Sequence, residues 1–536
     1  MDFATTSDYS YFIQNIHGSY SYSNLNAFAA DFSGNTTGAQ NWNSYSQAFG
    51  NPALTTRIND YDFYGQDSWR VTDKLTANVG LRYEYSQLPT PPTCNPAAPL
   101  TCQLNSPTGN VMPRVGLAYR LNSKTVVRGG YGLYYARMMA ATLQDLFTGN
   151  GITTESISLS VAQHASGPVF PNVLSAVPPV GTQSTLSIQF PSPNFQTPYS
   201  EQAQIGVERE ITPTLALTVS GIWSRGIHLY SVVDTNLPTP SNTTTATYQI
   251  DNAAGSFVGT YTTPVLLGVG GAQSKRPNAS YAGMYEDGNG VVSFYDGLAV
   301  QLNKRFSHGL QALMAYTWSH ELDDGQGYGQ ATQNIFLSNA NAWLMNGNFR
   351  ADYGNGLEDQ PDRFSLAWDW TPTFSQRTGV LAKYLYNNWE LSSITAINSE
   401  RPYGSPTISI SGTPVAGMFS NFSLNGYGLS GRVPFLPVNS VWQPALYRED
   451  LRLSKIFPIG ERYRVYFNVE AFNISNSWSP TSMRTAAYTE SGVCSSGTCQ
   501  LKPVTGTSAV GTGNGDAFPP DGTEARRFQV SARFTF

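Results

Sequence analysis

Five histidines, four cysteines and a small set of strand-borne charges are the side chains of this 536-residue chain whose types could do chemistry. His17, His164, His228, His308 and His320 are scattered, and none sits in a paired metal motif. No Gly-x-Ser-x-Gly elbow offers a nucleophile. His320-Glu321-Leu322-Asp323-Asp324 brings imidazole and carboxylates together, but reads as the polar exit of a strand into a loop. The acidic, glycine-rich run Glu286–Gly290 suggests calcium, yet lacks the ligand spacing of an EF-hand and reads as solvated loop. Cys94 with Cys102, and Cys494 with Cys499, form two local pairs in long Pro- and Gly-rich stretches. They are expected to be disulfides of a cell-surface protein, each contributing roughly 2–3 kcal/mol at most, to loop order only. Zinc is the competitor, but neither pair has the two-residue spacing of a cysteine knuckle and no histidine lies near. The expectation is a protein with no catalytic residues, no metal site and no cofactor.

The remaining candidates are Arg82, Glu84, Arg128, Glu208, Arg464, Glu470 and Arg533, and the elements that must position them are strands. Leu75, Ala77, Val79, Leu81, Tyr83 and Tyr85 alternate with Thr76, Asn78, Gly80, Arg82 and Glu84. Leu215, Leu217, Val219 and Trp223 alternate with Ala216, Thr218, Ser220 and Ser224, and Leu310 to Trp318 repeats the scheme. Tyr463, Val465, Phe467, Val469 and Ala471 stand opposite Arg464, Asn468 and Glu470. The chain ends the same way, with Phe528, Val530, Ala532, Phe534 and Phe536 on one face and Gln529, Ser531, Arg533 and Thr535 on the other. These runs last about ten residues, the length a tilted strand needs to cross a bilayer, whereas strands of soluble sandwiches average about five or six. The charges then face a wet lumen, either lining a path or pairing across strands at little gain in stability.

Composition agrees with a wall of membrane strands. Aromatics make up 13% of the chain and charged residues only 12%, with Tyr 31 and Phe 27. Ordinary soluble domains carry about twice that charged share. The mean hydropathy is nevertheless −0.27, and no apolar run reaches the roughly 18 residues of a membrane helix. A net charge of −5 without a basic stripe implies no nucleic-acid partner. From Arg57 onward short turns, such as Val71–Lys74, Asn122–Ser123, Ile211–Thr214, Ser307–Gly309 and Pro458–Gly460, alternate with long loops. Loops above about 12–15 residues are uncommon in compact soluble folds, but outer-membrane barrels have long extracellular loops and short periplasmic turns. Trp69, Trp368, Trp370 and Trp389 fall toward the short turns, and Tyr83, Tyr85, Trp223 and Trp318 toward the long loops, as two interfacial girdles require. The expected fold is all-β, a transmembrane antiparallel barrel of about 13–16 strands. Residues Tyr20–Asp31 are expected to supply one or two of them. The expected partners are outer-membrane lipid and a solute of unknown identity.

The blocks Tyr64–Glu84, Pro113–Tyr119, Arg128–Tyr135, Tyr316–Ser319, Val469–Asn476 and the terminal strand, taken together, resemble the TonB-dependent receptor superfamily, and specifically its Oar-like barrels. The resemblance implies a 22-stranded barrel, a plug, and active uptake of a scarce solute with energy from the TonB complex. No plug-sized segment precedes the first barrel strand, and Met1–Asp8 lacks the charged and apolar regions of a signal peptide. Residues 1–536 therefore read as one N-terminally incomplete barrel domain, an unclosed wall with the terminal strand at an unpaired edge, reaching TonB only through a region outside this sequence. The alternatives are an adhesin or signalling receptor without transport, a plugless porin-like channel, or a soluble glycan-binding sandwich or propeller. Phe534 and Phe536 resemble the terminal aromatic signal read by barrel-assembly machinery.

Two outcomes are expected. Proteolytic or thiol-reactive probes on intact cells reach Asp145–Pro193 and Asn236–Asn289 but spare Ser307–Gly309; labelling of that turn from outside refutes the topology. Deleting Phe536, or changing Phe534 and Phe536 to Ser, lowers the heat-modifiable, inserted fraction several-fold more than Thr535→Ser does. Equal insertion of all three removes the assembly role.

Overall fold

The computed structural model describes all residues except 12–14, 35–39, 139, 179–186, 237–242, 268–275, 282, 326–336, 339–348, 378, 420–422, 427–430, 479, 481, 492–497 and 515–524. Among the described residues a 17-stranded sheet dominates. Three of its members are short additions, Ser187–Pro191, Leu337–Ser338 and Gly354–Asn355. The rest follow one another in chain order. They are β1 Asp2–Ser10, β2 Leu54–Arg70, β3 Leu75–Gln87, β4 Val111–Asn122 and β5 Thr125–Tyr135. Next come β6 Tyr199–Thr212, β7 Leu215–Asp234, β8 Gly283–Ser307, β9 Leu310–Asp323 and β10 Asp362–Trp370. The wall ends with β11 Trp389–Asn398, β12 Leu446–Ile459, β13 Tyr463–Phe472 and β14 Arg527–Thr535. Each pairs antiparallel with the next. The sheet is not closed: β14 pairs with β13 and β1 with β2, and neither free edge has a partner among the described residues.

Local chemistry sets the short turns. Thr72 Oγ1 accepts the Lys74 and Leu75 amides at 3.2 and 3.0 Å, and Asn122 Oδ1 accepts the Lys124 amide at 2.9 Å. His308 and Gly309 both adopt positive φ, 55° and 76°, the twist-matched geometry of a two-residue hairpin. His308 is thus a turn residue. Register then sorts the faces. Val530 lies opposite Val469 and Phe534 opposite Val465, while Gln529 lies opposite Glu470 and Ser531 opposite Asn468. Phe528, Val530, Phe534 and Phe536 are all exposed, as a lipid-facing surface demands. At the short-turn end Tyr463, Phe534 and Phe536 stack in series at 5.7 and 6.2 Å. At the opposite end Tyr61 stacks on Tyr85 at 6.2 Å and meets Phe3 in a tilted contact at 5.2 Å.

Three expectations need correction. Tyr20–Asp31 adds no wall strand: it holds one short strand, Ser19–Ser21, and helix α1, Leu25–Phe32, capped by Asn24 Oδ1 on the Ala27 amide at 2.9 Å. The extra wall strand is β1. Ser19–Ser21 instead joins Ser44–Gly50 and Thr154–Ser160 in a small sheet packed on Trp42, Tyr45, Ile157 and Leu159. Glu286–Gly290 is not solvated loop but part of β8, with Asp287 fully buried and accepting Gln189 Nε2 at 2.6 Å. Strands β7 and β8 run 20 and 25 residues, well beyond a bilayer crossing of about ten.

The long loops are structured. The connections after β7, β11 and β13 build a five-stranded sheet from Phe257–Leu266, Thr243–Asp251, Thr498–Pro503, Ala486–Ser491 and Thr407–Ser411. Tyr248, Val265, Leu424, Val433 and Leu501 form its core, and the Tyr248 hydroxyl donates to the Leu424 carbonyl at 2.8 Å. Glu490 is buried in this platform, and its Oε2 has no hydrogen-bond partner among the described residues. Burial pushes its carboxyl from 4.5 up to about 7. The folded state therefore binds more protons than the unfolded one between those values, and stability falls as pH rises through them. Hydrogen exchange of Ala486–Ser491 is expected to slow from pH 8 to pH 5, after correction for intrinsic rates. Glu490→Gln should raise local stability at pH 8 by on the order of 1–3 kcal/mol and change little at pH 5; a variant without effect at pH 8 refutes this.

Candidate functional site

The polar face of the wall gathers its groups in two rows that cross seven strands. Register aligns Gln66, Gly80, Arg114, Gly132, Gln202, Ser224 and Tyr295 in one row. Ser68, Asn78, Gly116, Gly130, Gln204, Ile222 and Gly297 form the next. A groove of about 1010 Å3 lies along them. Glycines deepen it by withholding side chains. A Cβ on Gly132 would come within 3.0 Å of the Tyr134 hydroxyl and 3.2 Å of Arg114 Cγ. The Arg114 guanidinium lies 4.5 Å from the Tyr134 ring centre, a cation–π contact that holds a positive charge over the groove. Amides, a hydroxyl and an arginine on an otherwise bare backbone can hydrogen-bond a polar or anionic solute. They supply no nucleophile–base pair.

The charges named from sequence fall into separate groups rather than one site. Arg82 Nη2 lies 2.9 Å from Asp62, and its Nε donates to Glu84. Arg137 reaches the same Asp62 oxygen at 2.8 Å, and Ser86 donates to Asp60 at 2.6 Å. This cluster sits at the long-loop end, where helix α2, Ala140–Thr148, lays Leu143, Leu146 and Phe147 against Leu54 and Ile58 of β2. Arg128 and Glu208 pair at 3.5 Å with both side chains exposed, so the contact stabilises little. Glu470 pairs with Arg452 at 3.4 Å. Arg464 and Arg533 are exposed on the polar face, with no carboxylate partner among the described residues. Asp60, Asp62, Arg114, Arg137 and Arg452 were missed in sequence. The signal for the first two was present: they alternate with Tyr61 and Phe63 as Arg82 and Glu84 alternate with Tyr83 and Tyr85.

Above the groove, buried ion pairs fasten loop segments together. Arg432 meets Asp352 at 3.1 Å with both side chains almost wholly buried, and Arg276 meets Asp234 at 2.9 Å. Breaking either pair leaves a buried charge, a cost of about 3–5 kcal/mol. Cys94 and Cys102 are joined, and Cys499 is disulfide-bonded; Cys494 lies outside the described residues. The histidines serve separate local contacts. His320 Nδ1 lies 2.9 Å from Asp359, His164 Nε2 lies 2.8 Å from the Trp42 carbonyl, and His228 occupies a positive-φ irregularity of β7. Among the described residues, no three His, Cys, Asp or Glu side chains are arranged to hold a metal ion.

Similar solved structures include the outer membrane transporter YddB from Escherichia coli, 11% identical, covering 99% of this chain and 50% of that one at a TM-score of 0.47. The FrpB iron transporter from Neisseria meningitidis (F3-3 variant) is 10% identical, covering 99% and 52% at 0.43. The siderophore receptor PirA from Acinetobacter baumannii is 9% identical, covering 91% and 47% at 0.43. The chain spans about half the length of these structures. No curated protein matches it in sequence. The profile of the outer membrane beta barrel domain matches residues 1–502, nearly the whole of the strand-and-platform architecture described above. The chain belongs to the outer membrane beta barrel domain family, and its place is the cell outer membrane.

Proposed function

We propose that the chain forms the wall and extracellular platform of a TonB-dependent, Oar-like transporter that takes up a scarce polar solute. The observation that carries this reading is the groove along Arg114, Gln202 and Gln204, opened by Gly116, Gly130 and Gly132 on the polar face of a wall crowned by an ordered three-loop sheet. A surface that only adhered to partners would need the platform but not a polar, side-chain-poor track on the inner face. Solute is first held among the loops, then passed along the groove by exchanging hydrogen bonds with amide and guanidinium donors. Energy coupling is assigned to the TonB complex acting through a region outside this sequence. No bond of the solute is made or broken.

The test uses the full-length protein in its own cells, with a panel of radiolabelled ferric chelates, oligosaccharides and peptides. For the solute taken up, Arg114→Glu together with Gln204→Glu is expected to lower accumulation at least tenfold while surface binding at low temperature stays within about twofold. A protonophore should abolish accumulation in the parent. Surface binding with no energy-dependent accumulation of any panel member would overturn the transporter reading in favour of an adhesin or signalling receptor.

A further inference from the structure

The connection between β10 and β11 differs from every other turn at its end of the wall. The others close within a few residues, whereas residues 371–388 form a longer excursion containing a single π-type turn, Ala382–Tyr386. Its neck is pinned: Asn387 Oδ1 accepts the Ser375 amide at 2.9 Å and Asn387 Nδ2 donates to the Ser375 carbonyl at 2.8 Å. Beyond the neck it shows an apolar surface. Phe374 is 61% exposed, Val380 73%, Leu381 67%, Leu385 55% and Tyr386 52%. A segment this apolar and this well anchored is badly matched to water.

Its position supplies the missing partner. Lys455 lies on the lipid-facing side of β12, in register with Trp389 on one neighbour and Phe467 on the other. The Lys455 ammonium donates to the Leu385 carbonyl at 3.4 Å and to the Asn387 carbonyl, and lies 4.7 Å from the Trp389 ring centre. The Tyr384 hydroxyl donates to the Pro458 carbonyl at 3.0 Å, and its ring stacks on Phe457 at 6.5 Å. Trp389 Nε1 donates to the Leu385 carbonyl at 2.9 Å. The excursion is therefore folded outward, against the outer face of β11 and β12, and not across the lumen. Its apolar surface is continuous with the aromatic band of Trp370, Phe374, Phe457 and Phe467 at the short-turn end. Arg377 is exposed on the same excursion, and Lys383 lies 5.2 Å over the Tyr384 ring, so cations border the apolar patch.

We infer that residues 371–388 lie in the phospholipid leaflet on the periplasmic side as an interfacial anchor. Val380, Leu381 and Leu385 enter the acyl region, Tyr384 and Tyr386 sit at the headgroup boundary, and Arg377 and Lys383 meet lipid phosphate. This combination of an apolar face with bordering cations is how a segment lies in a membrane interface without spanning it. Lys455 is the clasp: it satisfies the Asn387 carbonyl, which would otherwise face hydrocarbon unpaired, and adds a second donor to the Leu385 carbonyl already held by Trp389.

The test places a nitroxide label on Leu381→Cys, on Val380→Cys and, as reference, on Asp73→Cys in the tight turn between β2 and β3. The protein is studied in outer-membrane vesicles from cells producing it, and the described native cysteines, Cys94, Cys102 and Cys499, do not compete because all are disulfide-bonded. Labels at 380 and 381 are expected to be at least fivefold less accessible than the label at 73 to an aqueous nickel chelate, and more accessible to oxygen. Lys455→Ala should bring the label at 381 toward the reference, whereas Lys455→Arg should not. If both labels meet the chelate as readily as the label at 73, the excursion faces the periplasm as a protein-docking surface and the inference fails.

Discussion

Hydrocarbon offers no partner to a peptide N–H or C=O, so a chain that crosses it as strands must satisfy each backbone group through its neighbours. Most of this structure follows from that requirement. Strands must be long enough to cross, must pair in sequence, and must turn tightly on one side where little chain is available. Their side chains alternate because the two faces meet lipid and water. The ladders from β2 to β14 meet the requirement strand by strand, and β1 extends the wall only along Leu54–Asp62 of β2. Edges are where it is hardest to meet, and the outer edges of β1 and β14 have no partner among the described residues.

The two faces treat polarity in opposite ways. On the lumen side charges are admitted, but mostly in company: Arg82 with Asp62 and Glu84, Arg128 with Glu208, Arg452 with Glu470. Arg114 departs from this pattern, and an aromatic ring rather than a carboxylate supports it, leaving its charge available to a solute. On the lipid side Lys455 is tolerated because carbonyls and aromatic rings surround it. Water screens the first kind of charge; local geometry must neutralise the second.

The loop platform follows the rules of a soluble domain. It buries Tyr248, Leu424 and Leu501 and hides Arg432 beside Asp352. Its strands come from connections far apart in the chain: Gln500 donates to Asp251 at 2.6 Å across 249 residues. Such pairing brings loops from different hairpins into one body above the mouth.

Much of the wall was legible in the residues themselves. Period-two alternation places Phe528, Val530 and Phe534 on one face whatever the rest of the chain does, because the pleat dictates it. Turn chemistry at Thr72, Asn122 and His308-Gly309 is equally local. The choice between strand and other structure at Tyr20–Asp31 was not, since aromatic and small polar residues suit either, and packing on Trp42 and Tyr45 decided it. Nor was burial at Glu286–Gly290 legible: glycine and carboxylate read as loop until Gln189, almost a hundred residues away, supplies a hydrogen bond to Asp287. The groove is of the same kind, because glycines at 80, 116, 130 and 132 mean little until register sets them side by side. Sequence alone determined the membrane-wall architecture and the face each strand residue takes, through interactions a few residues long. Tertiary structure decided which charges meet, which loops join into the platform and where the wall opens a polar track, because those depend on contacts between segments that no local pattern encodes.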